Sequence, residues 1–176
     1  DVAIYAIEHN DRRRGSIASI PHVVRAESPD HDGAVEAMLD DVMAIMHHRS
    51  RDGDFKMYDH PAVLIVARDV ERLSAHASAT LGHILADGGR VGVNAVVAAT
   101  RPETIDPLLK TCNHIVVGAL NEAHQYAGLG VARVAAIERT VGRAQLMDGT
   151  QVQLAELDAP LDSVVNALVS MIEVER

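Results

Sequence analysis

Short apolar runs recur along the chain and are separated by longer segments with helical periodicity. Such runs are too short for helices and predict β-strands. A run without any polar residue, such as Ala62–Ala67, is typical of a central parallel strand. The predicted strands are residues 2–7, 62–67, 93–100 and 115–120. Residues 21–24 are predicted to start a further short extended segment.

Apolar side chains recur at intervals of three to four residues between the strands, which predicts amphipathic helices. The predicted helices cover residues 30–49, residues 70–87 and a short stretch over 102–109. Ser28, with Pro29 after it, is expected to cap the first helix. Gly88 and Gly89 should end the second.

The C-terminal part has a different pattern. Asp148-Gly149 separates the runs 143–147 and 150–155, a strong signal for a tight hairpin. A closing helix is marked by Val164, Leu168 and Ile172. The alternation of strands and helices predicts an α/β fold with a mainly parallel, doubly wound sheet, helices on both faces and the hairpin and closing helix at the C-terminal end. Since no linker or repeat divides the chain, we expect a single module over residues 1–176.

The composition of the chain limits which kinds of partner such a fold can bind. The formal net charge of −9 and the presence of only four aromatic residues disfavour direct nucleic-acid binding by this chain. The arginine triplet at 12–14 is interpreted as a solvated loop. The single Cys112 fits a reducing cytoplasm, and no apolar run approaches the length of a membrane span.

Polar side chains follow the predicted strands at the ends where ligands bind in an open parallel sheet. The candidate cofactor-binding residues are Glu8 and Asn10, and the candidate catalytic residues are Asp69, Glu71, Thr100 and Arg101. A nucleoside triphosphatase needs amides and a lysine that cradle phosphates, a carboxylate that holds Mg²⁺ and a polar group that senses the γ-phosphate. Thr100 and Arg101, at the tip of a strand, represent the third of these.

The other two are missing or altered. No GxxxxGK[ST] loop occurs in the sequence, whose only lysines are Lys56 and Lys110. The central strand ends in Ala67 and Arg68 where a pair of acids is expected. Asp69 comes one step later, and a displacement of one residue turns a side chain to the other face of a strand.

The order of several segments resembles that of the FtsK/SpoIIIE family of RecA-like motor ATPases. The most specific match is residues 89–94 (GRVGVN) running into 96–102 (VVAATRP), which is similar to the family's "GRAxGIH…ATQRP" segment. The segment 20–23, the helix end at 46–49 and the strand at 63–66 occur in the family's order. The similarity covers about residues 1–129.

This resemblance implies a RecA-like module that lacks its first β-α unit with the P-loop. Glu8 matches an acidic position of the family, Ala67 and Arg68 occupy the positions of the paired Walker B acids, and the sensor glutamine before Arg101 is missing. The family implies ATP and Mg²⁺ as cofactors of the parent protein, with none definite for this chain. It also implies a location in the cytoplasm, at the membrane's cytoplasmic face through a larger parent.

Three interpretations stay open. The chain is a translocase module, moving DNA or secreted protein, with weak or absent hydrolysis of its own; or a docking domain that binds no nucleotide; or part of an active DNA translocase whose P-loop lies upstream. We expect self-association or contact with neighbouring motor modules, since a missing β-α unit leaves an open sheet edge. DNA or a secreted protein would be bound through the parent.

Two other kinds of site are disfavoured. The ten histidines include no HExxH pair, and the adjacent His47 and His48 point in different directions around a helix, so no metal site is predicted. No GxSxG segment supports a serine hydrolase.

Overall fold

Four parallel strands form the main sheet of the computed structural model, in the order β2-β1-β3-β4. They are β1 (Val2–Ile7), β2 (Val23–Glu27), β3 (Ala62–Ala67) and β4 (Val93–Val97). The structure describes residues 1–9, 17–101, 108, 110–112, 115–118, 129–130, 142–154, 163–164 and 166. The chain divides into two compact units, residues 1–100 with 159–176 and residues 101–158.

The central strand β3 pairs with β1 on one side and β4 on the other. Along β3 the side chains alternate between buried and half-buried positions. Ile65 is fully buried and Val63 nearly so, as are Ala6 and Ile7 of β1. The continuous apolar run therefore forms a central parallel strand, as predicted.

Of the helices that the structure describes, α1 (Ala34–Arg51) buries the most side chains. Its buried apolar residues recur at helical spacing and are Val35, Met38, Leu39, Val42 and Met46. The predicted cap at Ser28 is wrong, because the helix begins after Gly33, which has a φ of 69°. The Ser28 side-chain oxygen instead accepts a hydrogen bond from the Asp30 amide at 3.2 Å and so closes a turn before the helix.

Helix α2 (Ala75–Asp87) begins later than the predicted residue 70, because Val70–Arg72 forms a separate 3₁₀ turn. Ser74 caps α2 by accepting a hydrogen bond from the Ala77 amide at 3.1 Å. The Ser74 hydroxyl also donates to Glu36 of α1, and this bond lowers the pKa of the Glu36 carboxyl. The two helices contact each other, with Leu81 and Ile84 of α2 buried.

The second unit contains three antiparallel strands, β5 (Val116–Gly118), β6 (Arg143–Leu146) and β7 (Gln151–Gln153). The predicted hairpin is confirmed, and its Gly149 has a φ of 88° that favours glycine. The strand predicted at 115–120 is present as β5. It pairs antiparallel with β6 and does not extend the parallel sheet.

These elements confirm the predicted α/β class, with a mainly parallel sheet flanked by helices and a C-terminal hairpin. The helix predicted over 102–109 and most of the closing helix lie outside the described residues. The single module over 1–176 stays a prediction. Among the described helices, none has the length and apolar character needed to cross a membrane.

Arg49 connects the end of α1 to the loops that precede β3 and β4. Its side chain is 8% exposed and donates to the Val91 carbonyl at 2.9 Å and to the Pro61 carbonyl at 2.8 Å. Its guanidinium carbon lies 5.7 Å from the centre of the Phe55 ring. Arg49 thus satisfies two backbone acceptors where the chain enters two neighbouring strands.

We expect Arg49→Met to lower the free energy of unfolding by about 3 kcal/mol, because it removes two hydrogen bonds from a charged donor and leaves their acceptors unpaired. Urea denaturation followed by circular dichroism measures this. Arg51→Met, an exposed position of the same helix, is the matched control, and we expect it to cost less than about 0.5 kcal/mol. Equal effects of the two substitutions would contradict the role assigned to Arg49.

Candidate functional site at the carboxyl edge of the parallel sheet

The strand order places a topological switch point between β1 and β3. After β1 the chain moves outward to β2, and then crosses to β3 and β4 on the other side of β1. In open α/β sheets, ligands bind beyond the carboxyl ends of the strands at such a point. The side chains that follow β1 and β3 therefore define the candidate site.

Glu8 and Arg68 occupy the two sides of this switch point. The pairing of β1 with β3 ends at Ile7 and Ala67. The Arg68 amide then donates to the Ile7 carbonyl at 2.9 Å, and the Glu8 amide donates to the Glu27 carbonyl of β2 at 3.0 Å. Both side chains are partly buried.

Two of the predicted site residues meet in the structure. The Glu71 carboxylate accepts a hydrogen bond from the Thr100 amide at 3.2 Å and another from the Thr100 hydroxyl. Glu71 in the 3₁₀ turn after β3 is thereby joined to the segment that follows β4. Arg101 is exposed and belongs to the second unit, and Asn10 lies outside the described residues.

Asp69 adopts a left-handed backbone conformation, with φ 51° and ψ 44°, and is the only described residue other than glycine with a positive φ. This conformation turns the chain from β3 into the 3₁₀ turn, where the Val70 amide donates to the Ala98 carbonyl at 3.3 Å. Aspartate tolerates this region better than most residues do. The turn, rather than a continued strand, therefore sets the position of the Asp69 carboxylate.

A second polar network at this edge was not predicted. Asp30 lies between His9 and Arg72, with its Oδ2 2.6 Å from the His9 Nδ1 and its Oδ1 2.7 Å from the Arg72 Nη2. His9 follows β1, Asp30 follows β2 and Arg72 follows β3. The sequence of Ser28–Asp30 resembles a helix start, and no sequence signal indicates that His9 and Arg72 meet there.

Arg68 differs from the other cations of this edge. Its Nε is buried and has no hydrogen-bond partner, whereas Arg72 is paired with Asp30. An unpaired, buried N–H of a charged group is energetically costly. Because the fold places Arg68 beside the end of β1, this cost falls at the switch point itself.

The residues at the end of β3 do not fit a bound Mg²⁺. Mg²⁺ needs oxygen ligands, but β3 ends in the buried methyl group of Ala67 and continues into the cation of Arg68. The left-handed turn at Asp69 takes its carboxylate off the line of β3, and one Glu71 oxygen already accepts a hydrogen bond from Thr100. Among the residues that the structure describes, no group of three or more His, Cys, Asp or Glu could hold a metal ion.

Comparisons by sequence give no assignment, because no family model and no curated protein sequence matches the chain. Comparison of the fold does give matches. ATPases 2 and 3 of EssC from Geobacillus thermodenitrificans superpose with a TM-score of 0.79 at 16% identity, over 98% of this chain and 38% of that one.

Two further solved structures have the same fold. ATPases 2 and 3 of Thermomonospora curvata EccC, in complex with a signal sequence peptide, match with a TM-score of 0.75 at 14% identity, over 98% of this chain and 36% of that one. The pCW3 conjugation coupling protein TcpA, a monomer form with ATPγS, matches with a TM-score of 0.69 at 10% identity, over 97% of this chain and 57% of that one.

These similarities confirm the fold expected from the FtsK/SpoIIIE resemblance. The fold is that of the RecA-like domains in secretion and conjugation ATPases. The chain spans less than two fifths of the solved EssC and EccC chains described above. At 10–16% identity the likeness concerns the fold, and the roles of Glu8, Asn10, Asp69, Glu71, Thr100 and Arg101 stay predictions.

The left-handed turn at Asp69 makes a testable prediction. A β-branched residue is strained in this conformation, so we expect Asp69→Val to lower the free energy of unfolding by about 1–2 kcal/mol. Asp69→Gly should change it by less than about 0.5 kcal/mol, because the relief of strain offsets the greater freedom of glycine in the unfolded chain. Urea denaturation of both variants measures this, and equal destabilisation would show that lost contacts of the carboxylate decide the effect.

Proposed function

We propose that this chain is a RecA-like module of an FtsK/SpoIIIE-like translocase, of the nucleotide-binding type, with little or no ATP hydrolysis of its own. The observation that carries the proposal is Arg68, a cation directly after β3 and beside the end of β1. In a P-loop ATPase this end of the strand supplies a carboxylate for Mg²⁺.

The charge at this position opposes the chemistry of hydrolysis. Mg²⁺ bridges the β- and γ-phosphate oxygens and neutralises charge that develops as the phosphoryl group is transferred. A guanidinium at the position of the metal's carboxylate repels the metal and has no lone pair with which to coordinate it. Of the predicted acids after β3, Glu71 is bound to Thr100, so its carboxylate supports the 3₁₀ turn and the segment after β4.

The proposal assigns the working nucleotide site to a larger assembly. ATP and Mg²⁺ would serve the parent protein, in which this module contacts neighbouring motor modules. Support comes from TcpA, whose solved form carries ATPγS, and from the EssC structure, which contains consecutive ATPase domains. The net charge of −9 favours a protein cargo over DNA for the surface of this chain.

We expect the purified chain to release no phosphate from Mg·ATP above the level of a blank preparation. The matched control is the double variant Asp69→Asn/Glu71→Gln, purified in the same way, because a contaminating ATPase gives the same rate in both preparations. A colorimetric phosphate assay measures the turnover. Sustained turnover that is lost in the double variant would refute the hydrolysis-deficient module.

A cavity between the two helices favours a second candidate function, docking of a protein partner without nucleotide. The cavity has a volume of about 420 Å³ and lies where the C-terminal halves of α1 and α2 approach each other. Met43, Met46 and Val91 give it apolar walls, and His47 and His83 lie at it as polar groups. Methionine-lined grooves adapt to apolar side chains of helical peptides. The EccC structure with its signal sequence peptide supports peptide binding by a module of this fold.

If docking is the function, an amphipathic helical peptide with two leucines four residues apart should shift the methyl resonances of Met43 and Met46 in a ¹³C-methionine NMR spectrum. Met57, which is exposed and does not line the cavity, is the internal control. Met43→Glu should abolish the shift at Met46, because it places a charge in the apolar wall. Equal shifts at all three methionines would indicate non-specific binding and contradict the docking site.

A further inference from the structure

We infer that the switch point binds a phosphate group through Arg68 and without Mg²⁺, so that the cation of this side chain takes the place of the metal. The inference rests on the proposed function, because it names the ligand chemistry of the same edge of the sheet. It concerns a phosphoryl group, carried by a nucleotide or free in solution.

The first observation is the position of Arg68. Its amide is hydrogen-bonded to the Ile7 carbonyl at 2.9 Å, so its Cα is held at the junction of β1 and β3. The strand order makes this junction the switch point of the sheet. Arg68 therefore lies at the edge of the sheet where ligands of open α/β sheets are bound.

The second observation is the unsatisfied donor. The Arg68 Nε is buried without a hydrogen-bond partner, although arginine has five N–H groups in a fixed fork. Folded proteins pair nearly all buried polar atoms. A buried donor at a ligand crevice is therefore best explained by an acceptor that arrives with the ligand.

The third observation is that nearby acids are already bound. Asp30 holds His9 and Arg72 at 2.6 and 2.7 Å, and Glu71 holds Thr100. These contacts engage the carboxylates of Asp30 and Glu71, while Arg68 has no ion pair with any described residue. An anion with several oxygen acceptors completes such a site, and phosphate fits the guanidinium fork bidentately.

Magnesium is not required for this recognition. Where a metal bridges an acidic site and a phosphate, it cancels repulsion between two sets of negative charge. At Arg68 the protein itself supplies the positive charge, so the phosphate meets its counter-charge directly. Mg²⁺ bound to the phosphate would then compete with Arg68 for the same oxygens.

The test measures the thermal unfolding of the whole chain in EDTA, by calorimetry, with pyrophosphate, ATP or adenosine added and with sodium chloride at matched ionic strength. We expect pyrophosphate, ATP or both to raise the unfolding temperature by about 3 °C or more at concentrations well above the dissociation constant. Adenosine and sodium chloride should leave it unchanged. A response to pyrophosphate identifies the phosphoryl group alone as the ligand, and a response to ATP alone identifies a nucleotide.

Variants at Arg68 separate this site from a structural role. Arg68→Met should raise the unfolding temperature of the ligand-free chain, because it removes an unpaired buried donor, and should abolish the response to phosphate. Arg68→Lys should keep part of the response, since it retains the charge and loses the fork. Arg51→Met, at an exposed position, is the control and should retain the full response.

Three results would overturn the inference: no phosphate response in the native chain, a full response in Arg68→Met, or a lower unfolding temperature of ligand-free Arg68→Met. The last would show that Arg68 stabilises the fold by contacts of its own. These failures are distinct from failure of the proposed function, which is decided by turnover of Mg·ATP.

Discussion

The pairing of β1 with β3 is the constraint on which the candidate site depends. Their residues pair in register from Val2 with Ala62 to Ile7 with Ala67. Strands that are paired over their whole length end together, so the residues that follow them are forced into one crevice. The hydrogen bond from the Arg68 amide to the Ile7 carbonyl extends this pairing by one step and holds a cation at the switch point.

The chemistry at the carboxyl edge of the parallel sheet depends on which charged side chains already have partners there. Asp30 gathers His9 and Arg72, and Glu71 connects the turn after β3 to Thr100. Both arrangements use acids to hold the framework of the edge together. The end of β3 presents the cation of Arg68, which suits an anion and opposes a divalent metal. A RecA-like fold can therefore retain its ligand crevice while losing the metal site that hydrolysis requires.

The parts of the fold that could be predicted are those that depend on local pattern. The sequence pattern predicts β1 and β3 from their apolar runs and α1 from its apolar stripe, since each element buries one continuous set of side chains. Asp148-Gly149 likewise predicts its hairpin from the turn alone. The helix starts differ from the prediction because Ser28 closes a turn before α1, and because Val70–Arg72 forms a separate 3₁₀ turn before α2.

Features that depend on tertiary contacts could not be predicted. His9, Asp30 and Arg72 come from three separate strand ends, and their meeting is decided by the strand order. The antiparallel pairing of β5 also depends on a partner that lies far along the sequence. Of the predicted site residues, Glu71 and Thr100 meet, but as partners in a structural contact. Their spacing in the sequence does not indicate that the two residues come together.

The central claim is that the end of β3 offers no place for Mg²⁺. Calorimetric titration of the chain with ATP, once with Mg²⁺ and once with EDTA, tests it most directly. The account predicts that Mg²⁺ leaves the dissociation constant of ATP unchanged or weakens binding. A dissociation constant at least tenfold lower with Mg²⁺, about 1.4 kcal/mol of added affinity, would contradict it.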